Sequence, residues 1–127
     1  MVIDTSAIAA ILFDEPERVV FNQKIAAVPG YISAPTLVEC SLVVEARKQS
    51  LGRAELELFV STAALTVVPF DSAQAELAIL AWRTYGKGRH SANLNFGDCF
   101  SYALAKFRNE PLLFKGNDFS KTDVAIA

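Results

Sequence analysis

Long apolar runs are missing from these 127 residues, and so is a large surplus of either charge. No stretch approaches the roughly 20 apolar residues that a membrane-crossing helix needs. Twelve Lys and Arg stand against fourteen Asp and Glu, a formal charge of −2 that by itself speaks weakly against a nucleic-acid partner. Cysteine is reduced to two residues and histidine to one. Cys40 and Cys99 have no zinc-ligand spacing, and each follows an acid that a helix would turn about 100° away. They read as small buried hydrophobes. His90 lies among Gly88, Arg89 and Ser91, a setting that suits a surface residue better than a general acid. No charged-then-apolar leader precedes a cleavage site, because Met1 runs straight into a strand-like segment. The expectation is a cytoplasmic protein whose thiols stay reduced.

What is abundant is apolar surface. At 52% apolar, the chain can bury a sizeable single core. Repeats, linkers and low-complexity tracts are absent, so residues 1–127 are read as one domain. Short apolar runs at 1–3, 31–33, 65–70 and 112–114 read as strands, with 122–126 a candidate edge strand. Between them lie helical patterns: 7–13 capped by Thr5 or Ser6, then a second ending near 27 with Pro16 at its first position. A long helix opens at Thr36, runs towards Gln49 and stops by Gly52, and another covers 53–64. A helix behind the capping-box pattern Asp71 to Gln74 runs to about Tyr85, and the last spans from Phe96 or Gly97 to about Arg108. Strands alternating with helices imply an α/β fold with a mostly parallel sheet covered on both faces.

Against this frame four acids stand out. Asp4 follows the first strand, Glu39 and Asp98 fall near helix starts, and Asp118 follows the fourth strand. In a parallel sheet all four can reach the one edge where open α/β folds bind ligands. Each also has a structural explanation. Asp4 and Asp98 suit the positive end of a helix, Thr36-x-x-Glu39 has the spacing of a capping box, and Asp118 sits in a turn. Together they are harder to dismiss, because converging carboxylates repel one another unless a cation neutralises them. Set the four aside and ten acids face twelve basic residues, so the remaining surface is slightly basic. Lys87, Arg89 and His90, in a loop behind Tyr85, are candidate nucleic-acid contacts, since cations bind phosphate and an aromatic can stack on a base.

The stretches Val2-Ile3-Asp4-Thr5-Ser6, Glu39, Leu94 to Ala105 (LNFGDCFSYALA) and Pro111 to Phe119 (PLLFKGNDF) resemble the PIN domain, more narrowly its VapC-type toxins. The resemblance spans the whole chain, and the segment before Ala105 is its most specific part. It implies an α/β/α sandwich and a Mg²⁺- or Mn²⁺-dependent endoribonuclease acting as the toxin of a type II toxin–antitoxin pair. It also implies a VapB-type antitoxin that folds onto the toxin. Carried across, it puts Asp4, Glu39 and Asp98 in the three acidic positions, with Thr5 and Ser6 as the hydroxyls after the first. The fourth acidic position falls on Asp118 or the preceding Asn117, and Asp118 is preferred because it keeps a full charge. Asp4 and Asp98 are then the expected metal ligands. An excess of apolar helical residues, from Val19 and Val20 to Leu56, Leu58, Phe59 and Leu65, adds the expectation of a homodimer. Two other classes share the acidic pattern: a phosphoryl-transfer receiver or phosphatase-like domain, and a non-catalytic metal-binding module.

Overall fold

The computed structural model describes all residues, 1–127. In chain order the elements are β1 (Val2–Ile3), α1 (Thr5–Leu12), α2 (Arg18–Ala27), β2 (Tyr31–Ser33), α3 (Ala34–Thr62), β3 (Thr66–Val68), α4 (Ser72–Tyr85), α5 (Phe96–Arg108) and β4 (Leu112–Leu113). A 3₁₀ turn at Phe119–Lys121 follows. The four strands are all parallel and ordered β3-β2-β1-β4. Leaving β1, the chain moves outward through β2 and β3, then returns to β4 on the other side of β1. The strand order therefore reverses beside β1, and the crevice beyond the carboxyl ends of β1 and β4 is the expected ligand site.

Alternating side chains give the sheet two buried faces. Ile3, Ile32 and Leu113 point into a core with Ile8, Ile11, Phe21, Ile25, Cys40, Val44 and Leu56, from α1, α2 and α3. Val2 and Leu112 point the other way, onto Ala78, Ala81, Leu94, Tyr102 and Leu104, from α4, α5 and the loop between them. The register pairs Val2 with Leu112 and Ile3 with Leu113, so across β1 and β4 each face is apolar. The result is an α/β/α sandwich.

Several boundaries differ from the sequence reading. The 122–126 segment makes only a bridge from Ile126 to Leu112. The first helix is capped by Asp4, not by Thr5 or Ser6. The long helix starts at Ala34, with Pro35 in its first turn, so Thr36 is already helical and forms no capping box with Glu39. The break within that helix is at Gln49 (φ 56°, ψ −138°), not at Gly52. Gly52 lets the two halves approach: a Cβ there would lie 2.6 Å from the Val44 carbonyl oxygen. Of the apolar surplus, Leu56 and Leu65 belong to the core and Leu37 and Phe59 pack against it, whereas Val19, Val20, Val38 and Leu58 are exposed.

Candidate active site

Asp4 is the best-held acid. It leaves β1 in extended conformation and caps α1, with Oδ2 accepting the Ser6 backbone N–H at 2.9 Å and the Ser6 hydroxyl at 2.6 Å. Oδ1 accepts the Ser101 hydroxyl at 2.6 Å. Only 3% of the residue is exposed, so these donors replace water around a buried charge. Ser6 also accepts the Lys115 backbone N–H at 3.0 Å, which ties the segment after β4 to the start of α1.

Asp98 sits in the first turn of α5, where Asn95 caps the helix. Asn95 Oδ1 accepts the Asp98 N–H and Asp98 Oδ2 accepts the Asn95 N–H, both at 2.9 Å. Its carboxyl is nonetheless pushed up to about 7. Burial is the main cause, the Asn95 backbone N–H opposes it, and the charges of Asp4, Asp118 and Glu39 add to it. Asp4, Asp118 and Glu39 therefore all lie near enough to act on Asp98.

Glu39 lies one turn into α3, half-buried, and lodges against Gly97. A Cβ on Gly97 would come within 1.7 Å of Glu39 Oε2, so the missing side chain on α5 is what makes room for the carboxylate. Asp118 is exposed at the head of the 3₁₀ turn. Asn117 beside it is also exposed, and its carbonyl accepts the Ser120 hydroxyl. Thr5 is turned away: buried, it donates to the Thr36 carbonyl at 3.4 Å.

Lys87, Arg89 and His90 are exposed on the α4–α5 loop. The Arg89 guanidinium stacks on Trp82 at 4.0 Å, and His90 meets Tyr85 edge to face while its Nδ1 accepts the Ala92 N–H. The sequence reading passed over Ser101, although it sits three residues after Asp98 and so on the same face of α5. It also missed the part played by Gly97.

No three acids close into a cage around a single point. The set still fits a hard divalent ion. Every available donor is oxygen, and magnesium keeps several waters while taking only one or two carboxylates directly. Both thiols are held protonated, Cys40 pushed up to about 12 and Cys99 to about 11, in each case chiefly by burial. Neither competes as a ligand.

The model of the PIN domain matches residues 1–125. The chain is 50% identical over 126 residues to "Ribonuclease VapC" of Mycolicibacterium smegmatis, covering 98% of both proteins. It is equally identical to "Ribonuclease VapC30" of Mycobacterium tuberculosis, covering 98% of this chain and 96% of that one. Among solved structures, VapC20 of M. tuberculosis, described as a sarcin-ricin loop cleaving toxin, superposes with a TM-score of 0.78 at 18% identity. That match covers 99% of this chain and 97% of the other. VapBC2 of Rickettsia felis superposes at 0.72 and 17% identity, covering 98% and 94%. At those identities the structures establish the shared fold.

Two outcomes follow from this geometry. Because the Asp98 carboxyl is raised in the folded protein above the ordinary value of 3.8, the folded state holds its proton more tightly than the unfolded chain. Stability of the metal-free protein should therefore fall as pH rises between about 4 and 7, then level off. A series of thermal melts in chelator checks this, and Asp98→Asn should flatten the slope. In Gly97→Ala the new methyl should evict the Glu39 carboxylate and cut activity by about a hundredfold. The flexible Glu side chain can yield, so folding stability should stay within about 1 kcal/mol of the parent. Unchanged activity in that variant would remove Glu39 from the site.

Proposed function

The chain belongs to the PIN-domain family, and from that premise we propose that its four acids form the hydrolytic centre of a Mg²⁺- or Mn²⁺-dependent enzyme. It is a ribonuclease of the VapC kind, the toxin of a type II toxin–antitoxin pair. Relatives named as ribonucleases over nearly the full chain leave the receiver-like and non-catalytic readings without support. What supports the metal-dependent mechanism is a set of oxygen donors with no cation of the chain bonded to them: Asp4 buried behind β1, Asp98 half-buried at the head of α5, and Glu39 and Asp118 close enough to act on Asp98.

Asp4 and Asp98 would hold the ion, with Asp118 helping at the exposed rim and Glu39 orienting a water or taking its proton. When bound, such an ion lowers the pKa of water and stabilises charge on the phosphate oxygens. The protein's own contribution is placement. Ser6 and Ser101 keep Asp4 from turning, the Asn95 cap keeps Asp98 at the head of α5, and the gap at Gly97 lets Glu39 reach in. Lys87 and Arg89, with His90 braced on Tyr85, are assigned to the RNA backbone and bases.

Partners follow from exposed apolar surface. Ile79, Trp82 and Phe96, the last 81% exposed, surround a hollow of about 550 Å³ between α4 and α5 that we assign to a second copy of the chain. Val38 and Leu42, exposed on either side of Glu39, are assigned to an apolar segment of a VapB-type antitoxin. The solved neighbours include a toxin–antitoxin complex from Klebsiella pneumoniae, which supports such a partner. No helix is long and apolar enough to cross a membrane.

One preparation tests the whole. Purified chain should elute at twice its 13.8 kDa mass by light scattering and cleave structured RNA only when a divalent ion is present. Asp4→Asn and Asp98→Asn should each lower the rate on the order of a hundredfold or more while keeping the fold. Cleavage that survives excess EDTA would refute the metal mechanism, and a monomer at high concentration would refute the dimer.

A further inference from the structure

Beneath the acids, α3 and α5 meet through two buried hydroxyls. Thr36 is 1% exposed and Ser101 is fully buried, with their oxygens 3.3 Å apart. Ser101 lies three residues after Asp98, and Thr36 three before Glu39, so each helix carries one acid and one hydroxyl on the same face. The acids approach where Glu39 lodges against Gly97, and the hydroxyls meet nearby.

Their hydrogen bonds have only one consistent direction. An ionised carboxylate only accepts, so in the 2.6 Å contact the Ser101 hydroxyl must donate to Asp4 Oδ1. That uses the single proton Ser101 has, and Thr36 must therefore donate to Ser101. The chain of protons runs from Thr36 to Ser101 to Asp4.

Counting lone pairs on Asp4 shows what the chain is for. A carboxylate has about four acceptor positions, two on each oxygen. Oδ2 is saturated by the Ser6 N–H and the Ser6 hydroxyl. Oδ1 takes Ser101 alone and keeps one position open. The oxygen free to meet a cation is therefore the one that Ser101 holds.

We propose that Ser101, oriented by Thr36, is a positioning residue that fixes Asp4 Oδ1 for the divalent ion. The inference rests on the reading of Asp4 as a metal ligand. A ligand held in place by buried donors does not have to be reoriented when the ion arrives, and such outer contacts govern metal affinity. Ser101 touches neither ion nor substrate and acts only through Asp4.

The test is binding of Mn²⁺ alone, measured by electron paramagnetic resonance on the full chain, with a thermal melt for each variant. Parent protein should bind the ion and Asp4→Asn should lose it. Ser101→Ala should bind about tenfold more weakly. The Thr36 pair separates positioning from packing. Thr36→Val keeps the shape and loses the hydroxyl, so it should weaken binding a few-fold with little change in melting temperature, as expected for such an outer contact. Thr36→Ser keeps the hydroxyl and loses a methyl, so it should bind like the parent while melting earlier. Should Ser101→Ala fold poorly, the Thr36 pair decides alone. Equal Mn²⁺ affinity in parent, Ser101→Ala and Thr36→Val would overturn the positioning role and leave the metal reading intact. A parent that binds no Mn²⁺ would overturn both.

Discussion

Burial of the Asp98 carboxyl beside the like charges of Asp4, Asp118 and Glu39 is the constraint on which this end of the molecule depends. Asp98, half-buried, is pushed towards its protonated form by burial and then by Asp4, Asp118 and Glu39. A fold that served only stability would disperse these charges, since nothing cationic in the chain bonds to any of the four. Instead the protein anchors them. Three donors hold Asp4, a backbone N–H holds Asp98, and a missing side chain at Gly97 admits Glu39. The repulsion that remains is what a divalent ion would relieve, at the sheet edge where β1 and β4 flank the reversal of strand order.

The structural and the chemical readings of these acids turn out to be compatible. Asp4 caps α1 and still leaves one lone pair on Oδ1 open. Asp98 closes a capping box through Oδ2 and leaves its other oxygen free. Capping thus serves placement: a carboxylate that holds a helix terminus is itself held by that helix, which is how a first-turn acid acquires a fixed direction. Glu39 is the exception. The capping box expected with Thr36 does not form, because the helix begins at Ala34 and puts both residues inside it. Glu39 is instead placed by the approach of α3 to α5.

That contrast marks how far the sequence could be read. Strand and helix types were legible because short β-branched runs and helical periodicity are local signals, and the Asn95 to Arg108 segment carries both a cap and a periodic face. That four acids could lie near one another was legible because the alternation of elements implies a parallel sheet with a common edge. Contacts between distant segments were not. Gly97 matters only because Glu39, far away in sequence, needs its space. Ser101 matters only because α5 crosses the end of β1, although its three-residue spacing from Asp98 was a usable hint. The break at Gln49 defeated a glycine rule: Gly52 nearby is used for close packing against Val44, and the positive φ falls on an ordinary residue.

The central claim is that these acids converge to hold a hard cation, and a crystal grown with Mn²⁺ tests it most directly through the metal's anomalous scattering. The account predicts a peak bonded to Asp4 Oδ1 and to Asp98, with waters completing the coordination and Oδ2 of Asp4 still held by Ser6. Ordered density at the acids with no metal peak, or a metal bound elsewhere in a crystal of active protein, would contradict it.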